Sequence, residues 1–125
     1  MPKKKILVVD DEIAITKLLK LVLERTAKFE VYAENQGSRA MKTASEVKPD
    51  LILLDVNLSD ENGGELSERF SKDASLKQIP IIFLTGAISP TEVESGMGTL
   101  AGRPVVAKPI NMEKLVAMME KYLKN

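Results

Sequence analysis

The sequence predicts an α/β fold: one doubly wound domain with a five-stranded parallel sheet covered by helices on both faces. Three observations carry this. Short strand-like segments recur along the 125 residues, and four of them are apolar at every position. Strands apolar throughout, not at alternate positions, are buried on both faces, as in a parallel sheet. Segments with helical period lie between them, and right-handed crossovers send those helices to both sides.

The first strand is Ile6-Leu7-Val8-Val9. Lys3-Lys4-Lys5 before it read as a solvated strand start, because Asp10 and Asp11 end the apolar run far short of a signal-peptide core. The first helix is expected to bury Ile15, Leu18, Leu19 and Val22. A weaker strand runs from Phe29 to Ala33. The second helix spans Ser38 to Val47, with Ala40, Met41, Ala44 and Val47 inward. The third strand is Leu51-Ile52-Leu53-Leu54. Asn62-Gly63 is a turn signal that needs no function to explain it. The third helix runs from about Gly64 to Lys72, with Leu66 and Phe70 inward, and the fourth strand is Ile81-Ile82-Phe83-Leu84. A fourth helix is expected near residues 90–101. Gly96 and Gly98 cost it about 1 kcal/mol each relative to Ala, so it should be short, frayed or mobile. The fifth strand is Val105-Val106-Ala107. In the last helix Met112, Leu115, Val116, Met119, Tyr122 and Leu123 share one face, and Lys114, Glu120, Lys121 and Lys124 take the other. No linker or repeat interrupts this order, so residues 1–125 read as one domain.

Composition removes several classes of activity. With no Cys there is no disulfide framework, thiolate metal site or cysteine nucleophile. With no His there is no Ser-His-Asp triad, no histidine-ligated zinc and no histidine phosphoacceptor on this chain. Eighteen basic residues balance eighteen acidic ones, which disfavours a direct nucleic-acid surface. No apolar run approaches the roughly 18 residues of a membrane span, so the chain is expected to be cytoplasmic.

In an open parallel sheet the ligand site lies outside the carboxyl ends of the strands. Those ends carry Asp10-Asp11, Asp55, Thr85 and Lys108. Three carboxylates at one edge repel each other and call for a cation. All-oxygen donors with room for water suit Mg²⁺. Lys108 adds an ammonium and Thr85 a hydroxyl. A divalent cation, an ammonium and a hydroxyl converging on a carboxylate make a device for phosphoryl transfer onto it, with Asp55 attacking in line.

Each residue alone has a duller explanation. Asp10 and Asp11 would serve as caps of the first helix, Asp55 as the start of a turn, Thr85 as an ordinary strand end and Lys108 as a solvated lysine. Only their arrival at matching strand ends argues otherwise. Gly96-Met97-Gly98-Thr99-Leu100-Ala101 fits a dinucleotide-binding pattern, but no apolar strand precedes it.

Ile-Leu-Val-Val-Asp-Asp-Glu at 6–12, Pro-Asp-Leu-Ile-Leu-Leu-Asp at 49–55, Thr85-Gly86-Ala87 and Lys108-Pro109 together closely resemble the receiver domain of bacterial two-component response regulators. The resemblance implies a flavodoxin-like (βα)5 three-layer sandwich with Asp55 as phosphoacceptor. It implies Asp11 and Asp55 as direct Mg²⁺ ligands, Asp10 acting through water, and the Asn57 backbone carbonyl completing the set. Thr85 would hydrogen-bond the phosphoryl group, Lys108 would pair with it, and Lys108-Pro109 would be cis. The implied partners are a sensor histidine kinase or histidine phosphotransfer protein and a downstream effector protein, without membrane insertion. Such a chain is a phosphoacceptor with self-phosphorylation and autodephosphorylation chemistry, not an enzyme. A single-domain regulator is expected over a receiver of a longer DNA-binding regulator or hybrid kinase.

Departures from the family pattern are equally specific. Leu58-Ser59 stands where a Met-Pro pair is usual, and Asn62-Gly63 where Asp-Gly is usual. Position 105, commonly aromatic, is Val, whose stiff side chain cannot swing inward. Output is therefore expected from reordering of the fourth helix and the loop after Thr85, and small neutral Ala87 leaves the path of attacking water open. A Mg²⁺-dependent phosphatase with an aspartyl nucleophile is the enzyme alternative, but it wants an acid where Asn57 stands.

Overall fold

The computed structural model describes residues 3–86, 99–100 and 102–123. Among these, the strands are β1 (Lys4–Val9), β2 (Phe29–Glu34), β3 (Leu51–Asp55), β4 (Ile81–Thr85), β5 (Thr99–Leu100) and β6 (Arg103–Ala107). The helices are α1 (Ile13–Glu24), α2 (Ala40–Val47), α3 (Gly63–Lys72) and α4 (Met112–Leu123). One sheet runs in the order β2-β1-β3-β4-β6-β5. Its first five members pair in parallel. The short β5 pairs antiparallel with β6, and Gly102 takes the left-handed conformation, φ 77°, between them.

Register explains why the strand sequences are apolar throughout. Ile6 and Val8 face one cluster, built with Leu19 and Leu23 of α1 and Leu115 and Met119 of α4. Leu7 and Val9 face the opposite cluster, with Ala40 and Ala44 of α2 and Leu66 and Phe70 of α3. The sheet is thus sandwiched between two helical layers, which is the doubly wound arrangement expected. Phe70 and Phe83 are among the largest fully buried side chains; truncating either to Ala would cost about 3–5 kcal/mol.

Three expectations need correction. Leu18 does not point inward: it is 50% exposed, and the buried face of α1 is Thr16, Leu19 and Leu23. Thr16 tolerates burial because its hydroxyl donates to the Ile13 carbonyl at 3.0 Å and accepts from Asn35 at 3.1 Å. The segment expected as one helix from Ser38 divides into a 3-10 turn, Gly37–Arg39, followed by α2. Thr99 and Leu100, expected at the end of a fourth helix, form β5. The rest of that helix, with Gly96 and Gly98, and the path beside Ala87 lie outside the described residues. Val105 is fully buried against the α2–α3 side of the sheet.

Candidate functional site

The chain runs from β1 outward to β2 and returns to β3 on the other side, so the strand order reverses between β1 and β3. Such a reversal opens a crevice at the carboxyl ends. Val9 pairs with Leu54, and the next residues, Asp10 and Asp55, therefore stand side by side. Leu84 pairs with Asp55 and Ala107 with Thr85. Lys108 follows directly, its backbone N–H donating to the Thr85 carbonyl at 2.9 Å. Sheet register alone brings Asp10, Asp55, Thr85 and Lys108 to one edge.

Asp10, Asp55 and Thr85 are buried, and Asp11 is half-buried. One carboxylate oxygen from each of Asp10, Asp11 and Asp55 can be chosen so that all three lie within 4.8 Å of one another. The Lys108 ammonium sits 2.9 Å from Asp10 Oδ2, 3.0 Å from Glu12 Oε1 and 3.4 Å from Asp55 Oδ2. Asp10 Oδ2 is buried, and among the described residues the Lys108 ammonium is the charge that faces it. Burial pushes the Asp10 carboxyl above its usual range, and the charge of Asp55 adds to this, against the lowering effects of the Glu12 N–H and Lys108. Burial acts on Lys108 in the opposite sense, but hydrogen bonds and charge from the carboxylates overcome it and hold the ammonium firmly protonated.

The surrounding chain fixes these groups in place. Glu12 N–H donates to Asp10 Oδ1 at 2.9 Å and Asn57 N–H to Asp55 Oδ1 at 3.1 Å. Asn35 donates its side-chain N–H to the Asp10 carbonyl at 2.8 Å. Ser59 N–H donates to Asp11 Oδ2 at 2.9 Å, so Asp11 is tied to the loop after β3. Neither Asp10 nor Asp11 caps α1; the cap position is Glu12, without a side-chain cap bond. Asn57 is exposed in that loop and bridges to Asn62. Asn62 caps α3 by accepting from Glu65 N–H at 3.1 Å. Gly63 packs so tightly that a Cβ there would lie 2.3 Å from the Asp55 carbonyl oxygen. The Lys108-Pro109 bond is cis, as expected.

Sequence reasoning did not single out Asn35, assigned no role to Glu12 or Ser59 beyond their place in the family pattern, and read Gly63 as a turn and a family position, without its close approach to Asp55. Glu12 carried a signal, being the third acid of Asp-Asp-Glu. The other contacts depend on loops whose approach no local pattern encodes.

A hard, oxygen-preferring divalent cation fits this donor set. The three oxygens are close enough to share one ion, and Asp10 Oδ2 is a buried carboxylate oxygen faced only by the Lys108 ammonium among the described residues. Among the described residues, no helix is long and apolar enough to cross a membrane.

Comparison with known proteins agrees with this geometry. The family profile described as response regulator receiver domain matches residues 6–120. The nisin biosynthesis regulatory protein NisR of Lactococcus lactis is 33% identical over 120 residues, covering 96% of this chain and 50% of that protein. The DNA-binding response regulator MtrA of Mycolicibacterium smegmatis is 32% identical over 98% of this chain and 51% of its own length. The chain thus spans about half the length of the curated relatives it matches. Among solved structures, the chemotaxis protein CheY4 of Vibrio cholerae superposes with a TM-score of 0.80 at 28% identity, covering 97% of this chain and 99% of that one. A response regulator described as putative from Chloroflexus aurantiacus gives 0.81 at 29% identity, with 98% of each chain covered.

Proposed function

Since the chain belongs to the response regulator receiver domain family, we propose that Asp55 accepts a phosphoryl group in a Mg²⁺-dependent reaction. The observation that carries this is the placement of the Lys108 ammonium 3.4 Å from Asp55 Oδ2, beside a carboxylate cluster suited to a divalent cation. Family membership points to a phosphohistidine on a sensor kinase or phosphotransfer protein as the donor; these 125 residues contain no histidine, so the donor histidine lies outside them.

When bound, Mg²⁺ supplies positive charge against the equatorial phosphoryl oxygens. Asp10, Asp11, Asp55 and the Asn57 carbonyl are the groups that would hold it. The Asn57 N–H holds Asp55 Oδ1 and the Lys108 ammonium faces Oδ2 at 3.4 Å; Oδ2, on the lysine side, is assigned as the attacking oxygen. The Asp55 Oδ2–phosphorus bond forms as the donor's nitrogen–phosphorus bond breaks, and the imidazole leaves with that electron pair. Lys108 then pairs with the transferred group, and Thr85, next to it across the sheet, supplies a hydroxyl. Asp55 is consumed as an acceptor and regenerated by hydrolysis, so the chain works as a switch, not a turnover enzyme.

The protein donor has a surface to meet. Ile13, Leu18 and Leu21 of α1 are 56%, 50% and 54% exposed, and α1 begins three residues after Asp10. Large apolar side chains left in water beside a reactive edge suit a helical partner. DNA binding belongs to MtrA, a protein about twice the matched length.

Incubation with acetyl phosphate and Mg²⁺, read by intact mass, tests the proposal. One phosphoryl adduct is expected, absent without Mg²⁺ and absent in Asp55→Asn. An adduct that persists in Asp55→Asn would overturn it.

A further inference from the structure

Glu12 touches Lys108 as closely as the buried carboxylates do, yet the phosphoryl-transfer reading gives it no task. Its Oε1 lies 3.0 Å from Lys108 Nζ, against 2.9 Å for Asp10 and 3.4 Å for Asp55. It differs from them in burial: the Glu12 side chain is 58% exposed, that of Asp10 0% and that of Asp55 5%. It also stands at the cap position of α1 without making a capping bond, so its carboxylate is not committed to the helix.

The buried oxygens have two claimants. Asp10 Oδ2 faces the Lys108 ammonium, and Asp10 also belongs to the three-carboxylate cluster that suits a divalent cation. An ion entering the cluster meets an ammonium already seated there, and like charges a few ångströms apart repel strongly in a partly buried site. Either the ion binds weakly or the ammonium withdraws. Withdrawal into water alone would discard the pairing energy. Glu12, already in contact and on the solvent side, offers a partner whose own hydration is largely kept.

We propose that Glu12 is a positioning residue that takes over Lys108 when a divalent cation occupies the Asp10–Asp11–Asp55 cluster, so that both positive charges remain in the site. The inference rests on the reading of that cluster as the cation site. It makes Glu12 act through Lys108, not as one more charge attracting the ion.

The test is Mg²⁺ affinity of the full chain, measured calorimetrically without phosphodonor at about 0.15 M salt, where distant charges are screened. The proteins compared are native, Glu12→Gln, Lys108→Ala and the double variant. Glu12→Gln is expected to weaken binding about fivefold in the native background, on the scale of a partly exposed ion pair. In the Lys108→Ala background it should cost about twofold or less, because only the bare charge is then lost. Equal losses in both backgrounds would overturn the proposal. If Lys108→Ala fails a melting test of folding, Glu12→Asp decides, since it keeps the charge but withdraws the carboxylate by one methylene. Its affinity should fall toward that of Glu12→Gln, and native-like affinity would overturn the proposal. No Mg²⁺ binding by the native chain would remove the cation reading itself, a failure distinct from equal losses.

Discussion

The ammonium of Lys108 lies closer to Asp10, at 2.9 Å, than to Asp55, at 3.4 Å. Asp10 Oδ2 is buried and has no other partner among the described residues, so Lys108 neutralises a buried charge besides facing the acceptor carboxylate. Lys108→Met should therefore destabilise the metal-free protein at neutral pH by about 2 kcal/mol, below the usual cost of breaking a fully buried pair because Lys108 retains some exposure. Burial raises the Asp10 pKa above 3.8. Lys108 is among the influences that lower this pKa, so its loss leaves the carboxyl more readily protonated in the native state as pH falls toward 3.8, which relieves the unpaired charge. Urea denaturation at pH 7 and pH 5 should show the loss shrinking at the lower pH. A loss equal at both would contradict the assignment.

Gly63 controls the other side of the acceptor. A Cβ at this position would lie 2.3 Å from the Asp55 carbonyl oxygen and 2.7 Å from Val56 Cα, and both are backbone atoms that cannot step aside cheaply. Gly63→Ala should cost about 2–3 kcal/mol in urea denaturation. It should also slow acquisition of the phosphoryl group, because the residue displaced is the acceptor. Native stability in this variant would mean that the loop after β3 yields without strain.

The exposed side chains of α1 separate protein donors from small ones. Leu18→Glu places a charge where Leu18 is half exposed, outside the buried face of the helix. The ratio of phosphotransfer rate from a histidine phosphotransfer protein to that from acetyl phosphate should fall about tenfold, as expected for an interface anchor. An unchanged ratio would place the donor elsewhere.

Asp60 ties the loop after β3 to the 3-10 turn before α2, accepting from Gly37 N–H and Ser38 N–H at 3.0 Å each. The Ser38 N–H is the largest influence on its carboxyl; a smaller burial effect opposes it, and Gly37 adds further lowering, so the pKa lies below 3.8. For a depressed carboxyl the stabilisation is present above the unfolded value and disappears as pH falls through the folded one. Asp60→Asn should thus be less stable than the native chain at neutral pH. The difference should close in acid denaturation as pH drops below 3.8. A gap constant down to pH 2 would mean that the charge of Asp60 is not what holds the two loops.

The sheet and the site edge were legible from the sequence because both follow from local composition. Ile6–Val9, Leu51–Leu54 and Ile81–Leu84 are apolar at every position since each alternate residue meets a different helical layer, and the first polar residue marks where the sheet ends. The helical register of α1 was harder. Its buried face contains Thr16, whose hydroxyl is satisfied by Ile13 and Asn35. A polar core residue beside an exposed Leu18 shifts the apparent apolar stripe. The strand at Thr99 and Leu100 escaped because its pairing needs only the turn at Gly102 and a neighbouring strand, not a strand-like run. Glu12 was passed over because its role depends on Lys108, far away in sequence and adjacent only once the fold is made.

The central claim is that Asp55 itself carries the phosphoryl group. Borohydride reduction of the protein after acetyl phosphate and Mg²⁺ treatment, followed by peptide sequencing, locates the acyl phosphate directly, since reduction converts the modified aspartate to homoserine. The account predicts homoserine at position 55 and at no other acidic residue. Homoserine at position 10 or 11, with position 55 unmodified, would contradict it.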